Sequence, residues 1–155
     1  MTIKDKEIYP KILEHIRTDP GVRYRKLLRL TGLSNGSLSY TLKKLEKSRR
    51  VIVNRSSNSR VTSYYPKNIK TTELQILANL RNNTERRIVQ FLLKQGQSTF
   101  NDIVNHAEKA PSTISWHLNR LRIRKLITTN RQHIRPRTYK LINKNNVARI
   151  VSKYK

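Results

Sequence analysis

Apolar residues recur along the chain at helical spacing, in blocks separated by polar turns. Ile8, Ile12, Leu13 and Ile16 fall on one helical face and predict a first helix over residues 6–17. Asp19, Pro20 and Gly21 break it. A short second helix is predicted over 24–31, with Leu27, Leu28 and Leu30 for the core and Gly32 as its C-terminal cap. Ser34 stands where an N-cap belongs, opening a third helix with Leu38, Leu42 and Leu45 at i, i+4 and i+7. Two β segments follow at 51–53 and 61–65, around a polar hairpin over 54–60, and Pro66 stops the second.

The same pattern returns in the second half of the chain, at one constant offset and without a gap. Ile12, Leu13 and Ile16 align with Ile88, Val89 and Leu92; Tyr24, Leu27 and Leu28 with Phe100, Ile103 and Val104. Leu38, Leu42 and Leu45 align with Ile114, Leu118 and Leu121, and Val51 with Ile127. In the second copy Thr84 is expected to cap a helix running to Lys94, with Gly96 ending it. A helix over 100–106 and a turn over 108–110 lead to Pro111 at the first position of a third helix, where its missing N–H does no harm. Strands at 126–129 and 138–141 flank a loop over 130–137. Outside the repeat, Leu74, Leu77 and Leu80 mark a helix over 72–80, and Val147, Ile150, Val151 and Tyr154 another over 146–154. Helices this short need something to pack on. Their stripes can serve the units of one chain or pair two chains in a homodimer. The expected organisation is a first domain at 1–69, a linker helix at 70–83, a second domain at 84–144 and a terminal helix at 145–155.

Charge narrows the function. The 155 residues carry a formal +25, divided as +12 over residues 1–70 and +13 over 71–155, so the excess belongs to both copies. Such a field favours a polyanion, through release of condensed counterions. Apolar runs are too short for a membrane span, and the charged opening over 1–7 lacks the apolar core of a signal peptide. We expect no membrane association and a cytoplasmic, nucleoid-associated location. With no cysteine there are no thiolate sites, and His15, His106, His117 and His133 lack metal-ligand spacing. The acidic residues form no catalytic pair, and the four glycines are turn residues, not a phosphate loop. The expectation is no enzyme activity, no cofactor and no metal.

Two helices, a short turn, a third helix and a basic two-stranded hairpin make the plan of a winged helix-turn-helix. The segment Ala110-Pro111-Ser112-Thr113-Ile114-Ser115-Trp116-His117-Leu118-Asn119-Arg120-Leu121 resembles the recognition helix of archaeal and bacterial regulators of the ArsR/MarR type. The tandem arrangement resembles the two-unit archaeal winged-helix regulators, over residues 6–65 and 84–142. The implied fold is mainly α with small β-wings, as two tandem winged helix-turn-helix units. The implied function is transcription regulation on double-stranded DNA, with the third helix of each unit in the major groove and the wing at the backbone. Metal-sensing ArsR members use cysteines, which this chain lacks, so metal sensing is not implied.

If the aliphatic ridges face the cores, a step of about 100° per residue turns Ser112, Trp116, Asn119, Arg120 and Ile123 outward, with Thr113 and His117 on the near flank. The equivalent face of the first unit holds Gly36, Tyr40, Lys43, Lys44 and Lys47, with Asn35 and Ser37 at the helix start. Arg120 and Asn119 suit base edges or phosphate, and Lys43 and Lys44 suit phosphate. Alternatives stand beside each reading. Ser34, Ser112 and Thr113 can simply cap their helices, Tyr40 and Trp116 can cover core edges, and the lysines can be a solvated face. His117 reads as a packed or capping histidine. The wings add Arg55 and Arg60 around Ser56-Ser57-Asn58-Ser59, and Arg131, Arg135 and Arg137. Arginine suits a narrow minor groove, and a plain surface loop is the alternative. Two rival functions fit the charge: an architectural, chromatin-like protein that coats DNA, or an RNA-binding protein.

Overall fold

The computed structural model describes residues 2–55 and 60–154. The wing residues Ser56 to Ser59 therefore lie outside the described residues. The chain divides into two compact units, Met1–Leu74 and Gln75–Lys153. Among the described residues no helix is long and apolar enough to cross a membrane.

In the first unit, α1 (Ile3–Thr18) opens with a capping box: the Thr2 hydroxyl accepts from the Asp5 N–H, and the Asp5 carboxylate accepts from the Thr2 N–H. This cap starts the helix ahead of the expected Lys6. A short strand β1 (Val22–Arg23) leads into α2 (Tyr24–Thr31), which Gly32 closes at φ 66°. The third helix, α3 (Asn35–Lys47), starts where the Ser34 hydroxyl accepts from the Ser37 N–H at 3.2 Å. Strands β2 (Val51–Arg55) and β3 (Thr62–Pro66) form the hairpin, with Val51 opposite Pro66 at its open end. The sheet order is β1-β3-β2, all antiparallel. Ile12, Ile16, Leu27, Leu38, Leu42, Leu45 and Val51 form one core with Tyr9, Val22 and Tyr64. Leu30, expected in that core, is exposed. The inward face of this short helix runs through Leu27 and Thr31, and Leu30 falls beyond its edge.

The Asp19-Pro20-Gly21 turn has a strict geometric demand. Gly21 lies at φ 86°, donates to the Tyr64 carbonyl at 2.8 Å, and leaves room for the buried Tyr65 ring. A Cβ there would stand 2.8–3.0 Å from the Tyr65 ring and hydroxyl atoms.

Helix α4 (Thr71–Leu80) contains the division between the units. Its buried residues are Glu73, Ile76, Leu77 and Asn79, with Leu74 and Leu80 half-buried, so the stripe is rotated from the expected Leu74-Leu77-Leu80 line.

The second unit repeats the plan. Helix α5 (Asn83–Gln95) is capped by Asn82, whose side chain accepts from the Glu85 N–H at 3.1 Å. The expected cap, Thr84, lies inside the helix; Asn82 is an equally good capping type and takes the role. Strand β4 (Gln97–Thr99) precedes α6 (Phe100–Ala107), and Pro111 opens α7 (Pro111–Ile123) at its first position. Strands β5 (Ile127–Thr129) and β6 (Thr138–Leu141) complete a sheet ordered β4-β6-β5. Helix α8 (Lys144–Lys153) buries Val147 and Ile150. Helices α2 and α6, and α3 and α7, begin and end at positions that the sequence repeat sets against each other. Arg49 and Lys125 take nearly the same positive φ, 56° and 57°, just after the third helix of each unit. The repeat therefore extends from the sequence to the backbone.

Candidate nucleic-acid interface

On α3 the buried ridge is Leu38, Thr41, Leu42 and Leu45, which leaves Gly36, Tyr40, Lys43 and Lys47 along the opposite side, all exposed. Tyr40 is 56% exposed. Lys44, one helical turn on and half-buried, lays its ammonium 4.6 Å from the Tyr40 ring centre and 3.7 Å from Asp5. The bond to the Tyr40 hydroxyl, with Asp5 alongside, holds the Lys44 amine above its usual range. The Thr2 cap and Lys44 together hold the Asp5 carboxyl below its usual range. Lys43 and Lys47 have no ion-pair partner among the described residues. At the start of the helix, Ser34 caps and its hydroxyl also bonds Ser37 at 2.9 Å. Asn35 accepts from the Tyr24 hydroxyl through its backbone carbonyl, at 2.8 Å, and through its side-chain oxygen. Ser37 and Asn35 remain exposed.

The second unit builds the same face differently. Ile114, Leu118 and Leu121 are buried, and Ser112, Thr113, Trp116, Asn119 and Ile123 are exposed. The cap position is Ala110, which has no side-chain cap bond, so neither Ser112 nor Thr113 caps α7. Trp116 is 54% exposed and Ile123 69%. Arg120 stacks its guanidinium 4.5 Å from the Trp116 ring centre, at the register position of Lys44 over Tyr40. Its outward placement is only partial: the side chain is half-buried, with Nε 3.4 Å from Glu85.

Glu85 is the residue that sequence reasoning missed. It is fully buried, at the register position of the core residue Tyr9 in the first unit. Its carboxylate faces His117 Nδ1 at 3.1 Å, Arg120 Nε at 3.4 Å and Arg124 Nη1 at 3.5 Å. Arg124 also donates to the Asn79 side-chain oxygen. The Glu85 carboxyl and His117 Nδ1 share a buried hydrogen bond. His117 is thus a packed histidine. The signal was available: a carboxylate at a core register position must be buried, and a buried charge demands partners.

The wings are also organised by bonds that the sequence does not announce. Arg55 is exposed but forked onto Glu46 of α3 at 2.7 and 2.8 Å. That pair raises the Arg55 guanidinium further and holds Glu46 below the usual carboxylate range. Arg60 is exposed. In the second wing Asn130 closes the loop, donating to the Pro136 carbonyl at 2.9 Å and accepting from the Thr138 N–H at 3.1 Å. Arg131 and Arg135 are exposed and Arg137 is half-buried. No group of three or more His, Asp or Glu residues able to hold a metal ion occurs among the described residues.

Comparison with known families follows this division. Residues 10–51 match the family model described as winged helix-turn-helix DNA-binding, and residues 82–128 match the model described as bacterial regulatory protein, arsR family. No curated protein matches the chain.

Proposed function

We propose that this chain, a DNA-binding regulator of two winged helix-turn-helix units with the second of ArsR type, grips duplex DNA with the outward faces of α3 and α7. The observation that carries this reading is the exposure of the same face on both helices, opposite a buried aliphatic ridge, in a chain of net charge +25. In the first unit Tyr40, Lys43 and Lys44 meet the groove and its phosphates, with Asn35 and Ser37 at the helix start. In the second, Trp116, Asn119 and Arg120 face the groove, with the uncapped hydroxyls of Ser112 and Thr113 towards phosphate. Arg60, Arg131, Arg135 and Arg137 lie along the backbone, and the second wing enters a narrow, AT-rich minor groove. Arg55 reaches DNA only on leaving Glu46.

Leu77, Val147 and Ile150 are buried within a single chain, which supports DNA binding without a second copy through those stripes. Such a regulator works at the nucleoid, in the cytoplasm. With about eight phosphates neutralised, affinity falls with salt at a log–log slope near −7. The test is selection of bound sequences from a random duplex library in the presence of excess competitor duplex. Enrichment of a defined sequence is expected. Binding that vanishes under competition without enrichment indicates a coating protein, and preference for structured RNA over duplex DNA indicates an RNA-binding one; either outcome overturns the proposal.

A further inference from the structure

The outward lines of α3 and α7 share an aromatic but differ in charge at two matching positions. Along the outward line of α3 stand Gly36, Tyr40, Lys43 and Lys47; at the same register α7 places Ser112, Trp116, Asn119 and Ile123. The aromatic is kept, while both lysines are replaced, one by an amide and one by an aliphatic side chain. The nearest cation on the α7 line, Arg120, is held between Trp116 and the buried Glu85. Arg122 lies on the flank, bonded to the Asn119 side-chain oxygen at 3.1 Å, so that donation is what the Asn119 amide has left to offer. On α3 the acid on the corresponding flank, Glu46, is engaged by Arg55, and Lys43 and Lys47 stay unpaired among the described residues.

Two ammonium groups act on the phosphates chiefly through their field, with guanine O6 and N7 as the base edge they favour. An amide and an exposed isoleucine act only by contact. We infer that the helices divide the work: α3 is the electrostatic clamp, and α7 discriminates sequence, with Ile123 and Trp116 against thymine methyl groups and Asn119 donating to a purine edge. Apolar contact with the thymine methyl and amide bonding to purines are both available in the major groove. This rests on the duplex-binding proposal above. Charge complementarity supports DNA as the occupant of this apolar line: it lies on the side of α7 that corresponds to a lysine-bearing line on α3, in a unit that itself carries a large positive excess.

The experiment compares wild type, N119A/I123A and K43Q/K47Q on two duplexes: one selected by the wild type from a random library, and a scrambled one of equal composition. Affinities are read across a salt series, with circular dichroism and sedimentation as checks. All four positions are exposed, so both variants fold. For K43Q/K47Q the affinity falls by a similar factor on both duplexes, the salt slope shrinks by about 2, and the preference ratio is unchanged. For N119A/I123A the ratio falls about tenfold or more and the slope stays. The inference is overturned if N119A/I123A keeps the preference, if K43Q/K47Q abolishes it, or if N119A/I123A converts a wild-type dimer to monomer, which would make this line of α7 a contact between chains. A wild type that binds duplex without preference also overturns it. A wild type that binds no duplex sinks the regulator proposal itself, a result distinguishable from the others.

Discussion

Replacing Glu85 with alanine removes the buried carboxylate that faces His117 and Arg120 of α7 and Arg124 just beyond it. Deleting one partner of a buried charge pair costs about 3–5 kcal/mol when the survivor stays buried. Here the survivors differ. The side chains of Arg120 and Arg124 are 33% and 42% exposed and can turn to water, whereas that of His117, 7% exposed, loses the partner of a buried polar atom. An orphaned buried polar atom costs about 1–3 kcal/mol, and the space left by the deleted side-chain atoms adds to it. We expect a loss of about 3 kcal/mol, at the low end of the buried-pair range. Glu85→Gln, which keeps one acceptor oxygen, loses less. Trp116 is the single tryptophan and lies on α7, so its fluorescence reports the second unit selectively. In urea, with m about 1 kcal/mol/M for so small a unit, the midpoint falls by about 3 M, or the unit is already unfolded without denaturant. A midpoint within about 0.5 M of wild type at unchanged m would refute this reading of Glu85.

Three further outcomes are expected. Arg135→Ala with Arg137→Ala weakens duplex binding at moderate salt and lowers the salt slope by up to about 2, measured by fluorescence anisotropy; unchanged affinity removes the second wing from the interface. Gly21→Ala destabilises the first unit by about 2 kcal/mol, since it combines a left-handed backbone with contact against the buried Tyr65, and thermal melting followed by circular dichroism reads it. The Asp5 and Glu46 carboxyls are both held below their usual range, Asp5 chiefly by the Thr2 cap and Glu46 by Arg55. Their stabilisation is present above the unfolded carboxylate values, about 4, and is lost as pH falls through the lower folded ones. Acid melting of the first unit is therefore shallower in the Asp5→Asn, Glu46→Gln double variant, and an identical acid profile would contradict this.

What could be read in advance was what periodicity encodes. The aliphatic ridges fixed the three helices of each unit, and Pro111, Gly32 and Ser34 marked their ends through local backbone chemistry. The first strand of each sheet, Val22–Arg23 and Gln97–Thr99, escaped because so short a run shows no alternation. Leu30 misled because hydrophobicity alone does not say which side of a short helix meets the core. The outward faces of α3 and α7 followed from the ridges, but their bonding did not. Whether Arg55 lies free or forked onto Glu46, and whether Arg120 points out or back to Glu85, depends on partners distant along the chain that only folding brings together. The register between the two copies is the tool that would have exposed Glu85, by setting it against Tyr9.

The most direct test of the interface is the accessibility of Trp116 to acrylamide, measured with and without saturating duplex DNA. A side chain 54% exposed in the free chain is quenched readily, and burial against the groove should protect it several-fold. If quenching is unchanged while DNA binding is saturated, α7 does not face the duplex, and the account of its outward face is wrong.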